Sequence, residues 1–284
     1  MPAIAALAGI PRPAVSAAVE GLPTRPPVLC AGCPHRGAFY AAKQALRGRP
    51  AIFSGDIGCY TLGNAAPLDA VDTCLCMGAG ITMAQGLAAV QPGVKQLAFI
   101  GDSTFFASGL TGVANAVYNR HDVTICVLDN STTAMTGGQP HPGTGRTLMG
   151  AEAEPLSIEA ALEALGVRCI VGANPHNVAE SVEAVSCAVD FEGPSAVVFR
   201  APCVNLVKRD AAVRFDAQSC TGCRKCITAI GCPAIGFDRT AAGPKSGARG
   251  QVAIDAAQCT GCGLCVQVCP FGALSVPGKG GDAC

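Results

Sequence analysis

Eight cysteines between residues 220 and 269 fall into two runs with the spacing of iron–sulfur ligands. The second run reads Cys259-x2-Cys262-x2-Cys265-x3-Cys269-Pro270. Three closely spaced thiolates wrap one face of a cubane, and the fourth, set before a proline, reaches the neighbouring cluster. The first run opens Cys220-Thr221-Gly222-Cys223, which recurs unchanged at an offset of 39 as Cys259-Thr260-Gly261-Cys262, within a repeat of residues 214–238 as 252–276. Duplication of one metal-binding unit accounts for both runs. The spacing predicts two [4Fe–4S] sites that exchange their fourth ligands: Cys220, Cys223, Cys226 and Cys269 in one, and Cys259, Cys262, Cys265 and Cys232 in the other. One departure stands out, because five residues rather than three separate Cys226 from Cys232. A zinc site is the competing reading, and two copies of one motif, each ending in Cys-Pro, argue against it.

A second set of residues suits a hard cation. Gly101-Asp102-Ser103 follows an apolar run, and after 25 further residues Asp129-Asn130 closes the next one. Mg²⁺ takes oxygen ligands in an octahedron and borrows several from phosphate. Asp102 would supply a carboxylate, Asn130 an amide oxygen and Thr132 a backbone carbonyl. The spacing resembles the thiamine diphosphate motif, Gly-Asp-Gly followed by Asn-Asn, with Ser103 in place of a glycine and Asp129 in place of an asparagine. Met77-Gly78-Ala79-Gly80 is a glycine-rich helix start. Such a turn either offers N–H groups to a diphosphate and lets a thiazolium approach, or packs tightly on a sheet.

These groups need elements to hold them. Strands are expected at 51–54, 96–100, 123–128, 167–171 and 196–200, and helices at 37–47, 79–90, 110–119, 157–165 and 175–189. Strands alternating with helices predict an α/β, doubly wound, largely parallel sheet whose ligands sit at the strand ends, where Gly55-Asp56 and Gly101-Asp102 fall. The texture changes near residue 208. The expected organisation is a Pro- and Ala-rich lead-in over 1–26, a diphosphate-binding domain over 27–207 and a small two-cluster, ferredoxin-like α+β domain over 208–284. With zero formal net charge and no basic run, nucleic acid is not an expected partner. Residues 1–23 lack the charged start and unbroken apolar stretch of a signal peptide, and no apolar run reaches the roughly 18 residues of a membrane span. Eighteen cysteines in such a chain point to a reducing cytoplasm and metal binding rather than a disulfide scaffold.

Longer motifs carry a resemblance. Leu128-Asp129-Asn130-Ser131-Thr132-Thr133-Ala134-Met135-Thr136-Gly137-Gly138-Gln139-Pro140-His141-Pro142-Gly143 resembles the thiamine-binding segment of the indolepyruvate:ferredoxin oxidoreductase alpha-subunit family. Cys30-Ala31-Gly32-Cys33-Pro34-His35-Arg36 and Asp56-Ile57-Gly58-Cys59-Tyr60 are similar to it too, and the likeness runs from about residue 27 to 276. It implies a thiamine cradle that includes Met77, Gly78, Gly80, Gly101, Asp102, Ser103, Asn130, Thr132, Thr136 and Gly137. The wider 2-oxoacid:ferredoxin oxidoreductase group holds a further cluster beside thiamine, which by resemblance falls to Cys30, Cys33, Cys59 and Cys203. His35 and His141 are candidate proton donors or substrate-carboxylate contacts, with a structural hydrogen bond as the plainer role. Arg36 is a candidate partner for a carboxylate or a diphosphate. His121 is expected to begin a strand at the surface. Cys74, Cys76, Cys126, Cys169, Cys187 and Cys284 are left without a ligand role, and Cys126 and Cys169 suit small buried hydrophobes.

The resemblance implies oxidative decarboxylation of an aryl pyruvate such as indolepyruvate to acyl-CoA and CO₂, with electrons passing through the clusters to ferredoxin. Pyruvate or branched-chain 2-oxoacids are the alternative substrates, and an electron-transfer subunit with a vestigial thiamine site is the alternative role. The expected partners are a chain supplying the pyrimidine-binding domain with its activating glutamate, a beta- or gamma-type oxidoreductase subunit, and ferredoxin. The chain by itself is not expected to turn over substrate.

Overall fold

The computed structural model describes residues 21, 22 and 26–278. The expected lead-in over 1–26 therefore lies almost wholly outside the described residues, as does Cys284. Among the described residues, five strands form one parallel sheet: β1 (Ala51–Ser54), β2 (Lys95–Gly101), β3 (Thr124–Asp129), β4 (Cys169–Ala173) and β5 (Ser195–Arg200), in the order β1-β2-β3-β5-β4. Helices cover both faces. On one face α1 (Pro34–Ala45) and α5 (Val178–Asp190) pack on Leu97, Phe99, Cys126, Leu128, Val197 and Phe199. On the other, α2 (Ala79–Val90), α3 (Leu110–Asn119) and α4 (Ile158–Ala164) pack on Ala98, Ile100, Ile125, Val127, Ala196 and Val198. Successive residues of each central strand thus serve opposite layers, which explains their unbroken apolar sequence.

Element limits follow local chemistry. Helix α1 begins at Pro34 rather than 37, because proline is preorganised for the first helical turn and its missing N–H has no partner there to lose. Helix α5 begins at Val178 rather than 175, where the Asn177 side chain caps Glu180 N–H. Strand β4 starts at Cys169, two residues late, since Gly166 and Val167 donate back to Glu163 and Leu162 to close α4. His121 does not begin a strand: its N–H closes α3 on the Ala116 carbonyl, it is half-buried, and β3 starts three residues later.

The C-terminal part is small. Strands β6 (Arg214–Phe215) and β9 (Leu274–Ser275) pair antiparallel, as do β7 (Ile235–Asp238) and β8 (Gln251–Ile254). Two short helices, α6 (Lys225–Ile230) and α7 (Leu264–Gln267), follow the two Cys-Thr-Gly-Cys turns. Their core mixes Val213, Ile230, Val252, Leu264, Val268 and Leu274 with cysteines, and Tyr40 and Val178 of the larger part pack against it.

Candidate functional site

A cavity of about 100 Å³ opens at the C-terminal ends of β2 and β3. It is lined by Met77, Gly101, Asp102, Ser103, Asn130, Thr132 and Thr136, and also by His35 and Cys59. Strand β2 ends at Gly101 and turns at once into helix, so Asp102 sits buried at the mouth of the sheet. The five residues Phe105–Gly109 form a π turn before α3, a local widening that often accompanies functional sites.

The Asp102 carboxylate is fixed by backbone donors. Ser103 N–H donates to Oδ1 (2.8 Å), and Asn130 and Ser131 N–H donate to Oδ2 (3.1 and 2.8 Å). Convergence of the last two requires Ser131 at φ 62°, a left-handed conformation that a non-glycine residue adopts at some cost. The Asn130 amide oxygen accepts from Thr132 N–H (3.2 Å), and Thr133 donates to the Ser103 hydroxyl (2.8 Å). Asp102, Asn130 and Thr132, 30 residues apart at most in sequence, thus meet at one corner of the cavity. No three His, Cys, Asp or Glu side chains among the described residues converge on one point; a site built from one carboxylate, an amide and a carbonyl is of a different kind and depends on phosphate oxygens.

Other expected residues divide. His141 approaches Asp102 from outside the cavity, with Nε2 3.1 Å from Oδ2 but not aligned for a hydrogen bond. Its Nδ1 accepts from Gly143 N–H (3.2 Å), which leaves the proton on Nε2, facing the carboxylate. His35 is buried with both ring nitrogens unpartnered, set edge-on to Tyr60. Burial pushes its pKa down to about 4, so it is a neutral hydrogen-bonding ring near pH 7. Gly78 does not offer its N–H to a ligand, since that group donates to Asp56 Oδ1 (3.0 Å). Gly80 packs on β1, where a Cβ would stand 2.6 Å from the Gly55 carbonyl oxygen. Of that turn only Met77 lines the cavity, and Gly137 does not line it either. Arg36 faces neither a carboxylate nor a diphosphate site: its guanidinium donates to the carbonyls of Leu29, Cys30, Ile230 and Gly231.

Two residues given no role from sequence organise the cavity wall. Asp56 accepts from Ile57 N–H (2.7 Å) as well as from Gly78, and burial holds its carboxyl above the usual carboxylate range against those bonds. The Tyr60 hydroxyl donates to the Ile57 carbonyl (3.1 Å), and its ring lies over Gly101, where a Cβ would meet Cε1 at 2.6 Å. The Gly55-Asp56 strand end was the visible signal for the first; the second has no signal beyond its place in Asp56-Ile57-Gly58-Cys59-Tyr60.

All described cysteines are free thiols. One small cavity in the C-terminal part is lined by Cys232, Cys259, Cys262 and Cys265, and another by Cys220, Cys223, Cys226 and Cys269. The grouping matches the exchange of fourth cysteines that the spacing suggested. Cysteines around a cubane stand apart, each on its own iron, so four thiols lining a cavity fit the cluster. Cys59 lies beside Cys203 and Cys30, and Cys33 beside Cys30 and Cys59. Cys203 N–H donates to the Asn130 carbonyl (2.9 Å), which ties this third group to the corner holding Asp102. Burial pushes Cys33 up to about 12 and Cys226 up to about 11. Such thiols are poor nucleophiles, and they lose their protons on binding metal. Cys126 is fully buried in β3, while Cys169 is half-buried beside Cys187.

Fold and site define a thiamine enzyme joined to an iron–sulfur domain. The family described as thiamine pyrophosphate enzyme, C-terminal TPP binding domain, matches residues 56–199, and the 4Fe-4S dicluster domain matches 212–270. The chain belongs to the thiamine pyrophosphate enzyme family, and within it stands with the indolepyruvate oxidoreductase subunits IorA. It is 40% identical to that subunit of Methanothermobacter marburgensis over 98% of the chain and 44% of the relative. It is 42% identical to that of Pyrococcus horikoshii over 89% and 41%. The chain therefore spans less than half the length of these relatives. The 2-oxoglutarate:ferredoxin oxidoreductase of Magnetococcus marinus shares the fold, with a TM-score of 0.53 and 20% identity over 65% of this chain and 66% of that one. No helix among the described residues is long and apolar enough to cross a membrane.

Proposed function

We propose that this chain is the thiamine-binding and electron-relay part of a 2-oxoacid:ferredoxin oxidoreductase that oxidises an aryl pyruvate, of the indolepyruvate kind, to an acyl-CoA. The observation that carries this reading is one cavity lined by Asp102, Asn130 and Thr132 together with Cys59, which itself lies beside Cys30, Cys33 and Cys203. When bound, thiamine diphosphate supplies the electron sink for decarboxylation and the clusters supply one-electron carriers. The Asp102 carboxylate, the Asn130 amide oxygen and the Thr132 carbonyl would hold Mg²⁺ and, through it, the diphosphate. Backbone donors preorganise Asp102, so little reorganisation is needed on loading. His141 holds its proton at Nε2 against that carboxylate and steadies its charge. His35, neutral and unpartnered, donates to the substrate carboxylate or carbonyl rather than acting as an acid.

Half-exposed Met77, Met135 and Ile57 give the cavity mouth an adaptable apolar rim suited to an aromatic side chain. No glutamate lines the cavity among the described residues, so the carboxylate that activates the aminopyrimidine comes from another domain or chain. The test uses the anaerobically isolated complex. Thiamine, magnesium, iron and sulfide are counted, and kcat/KM is ranked across indolepyruvate, phenylpyruvate, pyruvate and branched 2-oxoacids. Aryl pyruvates ranking first, with thiamine bound and CoA consumed, supports the reading. Absence of thiamine from an iron-replete complex overturns it in favour of a pure relay subunit.

A further inference from the structure

Two departures from expectation meet at one point. Arg36 is not at the thiamine cavity, and the first cysteine run carries two extra residues before Cys232. The extra residues lengthen α6 to six residues, Lys225–Ile230, against four in α7, Leu264–Gln267. The longer helix closes on Gly231 at φ 62°, whereas α7 closes on Val268 in the right-handed region. Its last carbonyls, on Ile230 and Gly231, accept from Arg36 Nη1 at 3.0 and 2.6 Å. The other side of the guanidinium holds the large part: Nε donates to the Cys30 carbonyl (3.2 Å) and Nη2 to that of Leu29. Gly231 must be glycine for this fit, since a Cβ there would stand 2.4 Å from Pro67 Cδ.

Arg36 is 3% exposed, and no carboxylate lies within ion-pair distance of its guanidinium among the described residues. A buried cation without an anion is costly. The titratable groups facing it are the thiols Cys232, Cys33, Cys30 and Cys262. It lines the cavity of Cys232, Cys259, Cys262 and Cys265 together with Gly32, which lies between Cys30 and Cys33. The cavity of Cys220, Cys223, Cys226 and Cys269 has no lining residue from the larger part. Arg36 therefore stands between two four-thiol sites, each of which is anionic when loaded and more so when reduced.

Building on the function proposed above, we infer that Arg36 and the lengthened 227–231 segment form a cationic joint. The joint fixes the Cys232/Cys259/Cys262/Cys265 site against the Cys30/Cys33 site and favours electron passage between them. One electron leaves the site of Cys30 and Cys33, which is oxidised, and enters the site of Cys232, which is reduced; no bond breaks and no proton moves. Arg36 is a positioning residue in this scheme, since it touches neither substrate nor thiamine.

The test uses the anaerobic holo-complex with R36Q and R36K. Iron is counted, midpoint potentials are titrated, and magnetic interaction between reduced clusters is read by electron paramagnetic resonance. In R36Q with full iron, the Cys232 site is expected at a more negative potential, its interaction with the large-part cluster weakened, and its reduction by substrate slowed severalfold in a single turnover. R36K retains the charge and loses the four-carbonyl grip, so its potential is held while the interaction weakens. R36Q with wild-type potentials and interaction overturns the joint. If R36Q fails to load iron, wild-type interaction in R36K overturns it; and fully reduced wild-type enzyme with no magnetic interaction between the two sites overturns it without any variant. About eight irons per chain instead of about twelve would remove the large-part cluster, which fails the proposed function itself rather than the joint alone.

Discussion

Asp102 concentrates the thiamine-side geometry in one carboxylate with three backbone donors and a histidine against it. Replacing it by asparagine keeps the shape but turns an amide N–H₂ toward N–H donors or toward the cation. D102N is expected to weaken magnesium and thiamine retention by at least the roughly 10–100-fold seen when a ligand's support is lost, read as cofactor content after desalting. Asp56 gives a pH prediction of opposite character. Burial raises its folded pKa, so its contribution to stability is fullest when protonated, below its unfolded pKa, and is lost as pH rises through the folded value. D56N keeps an oxygen for Ile57 and Gly78 N–H and never ionises. Thermal melts should therefore show wild type losing stability relative to D56N as pH rises from about 4 toward neutrality. D56A strands both donors and should cost about 1–3 kcal/mol. Equal pH slopes for wild type and D56N would sink the argument.

At the scale of elements, α1 and the loop before α5 touch at their backbones. A Cβ on Gly37 would stand 1.7 Å from the Pro175 carbonyl oxygen and 3.2 Å from Leu264 Cδ2. No side chain can move aside to relieve the first contact, so G37A must displace α1, and with it Cys33 and Arg36, at a cost of about 1–3 kcal/mol or more. Denaturant melts read the cost, and accelerated hydrogen exchange along α1 locates it. The sheet was legible because its central strands carry unbroken apolar stretches, 97–100, 125–128 and 196–199, separated by segments of helical period. The corner of Asp102 and Asn130 was legible because both lie one step beyond a strand end, and parallel neighbours bring such ends together. The role of Arg36 was not, since it sits three residues after Cys33 but two of its four carbonyl partners lie 194 and 195 residues away. Nor was the binding of Gly78 N–H by Asp56, because a glycine-rich helix start reads alike whether its donors face a ligand or a carboxylate of the same chain.

For the whole molecule, the two parts have unequal means of support. The larger rests on a five-stranded sheet with a core on each face. The smaller has two two-stranded ribbons and a core in which cysteines stand among the apolar residues, too little to hold without metal. Anaerobic removal of iron and sulfide should therefore release amide protection across 213–276 while β2, β3 and β5 stay protected, measured by hydrogen exchange with mass spectrometry. Uniform loss across both parts would contradict this division.

The exchange of Cys232 and Cys269 between the two C-terminal cavities also bears on biosynthesis. The halves are copies, yet neither is self-sufficient: the cavity with Cys220, Cys223 and Cys226 is completed by Cys269, and the one with Cys259, Cys262 and Cys265 by Cys232. A nascent chain that has emerged only as far as β7 owns four of these thiols and no four-thiol cavity. Both cavities come into being only once the second run is out, so loading in this part has little to act on before then. The C-terminal part of a chain cut short before Cys259 therefore has no complete four-thiol cavity in which to hold a cluster.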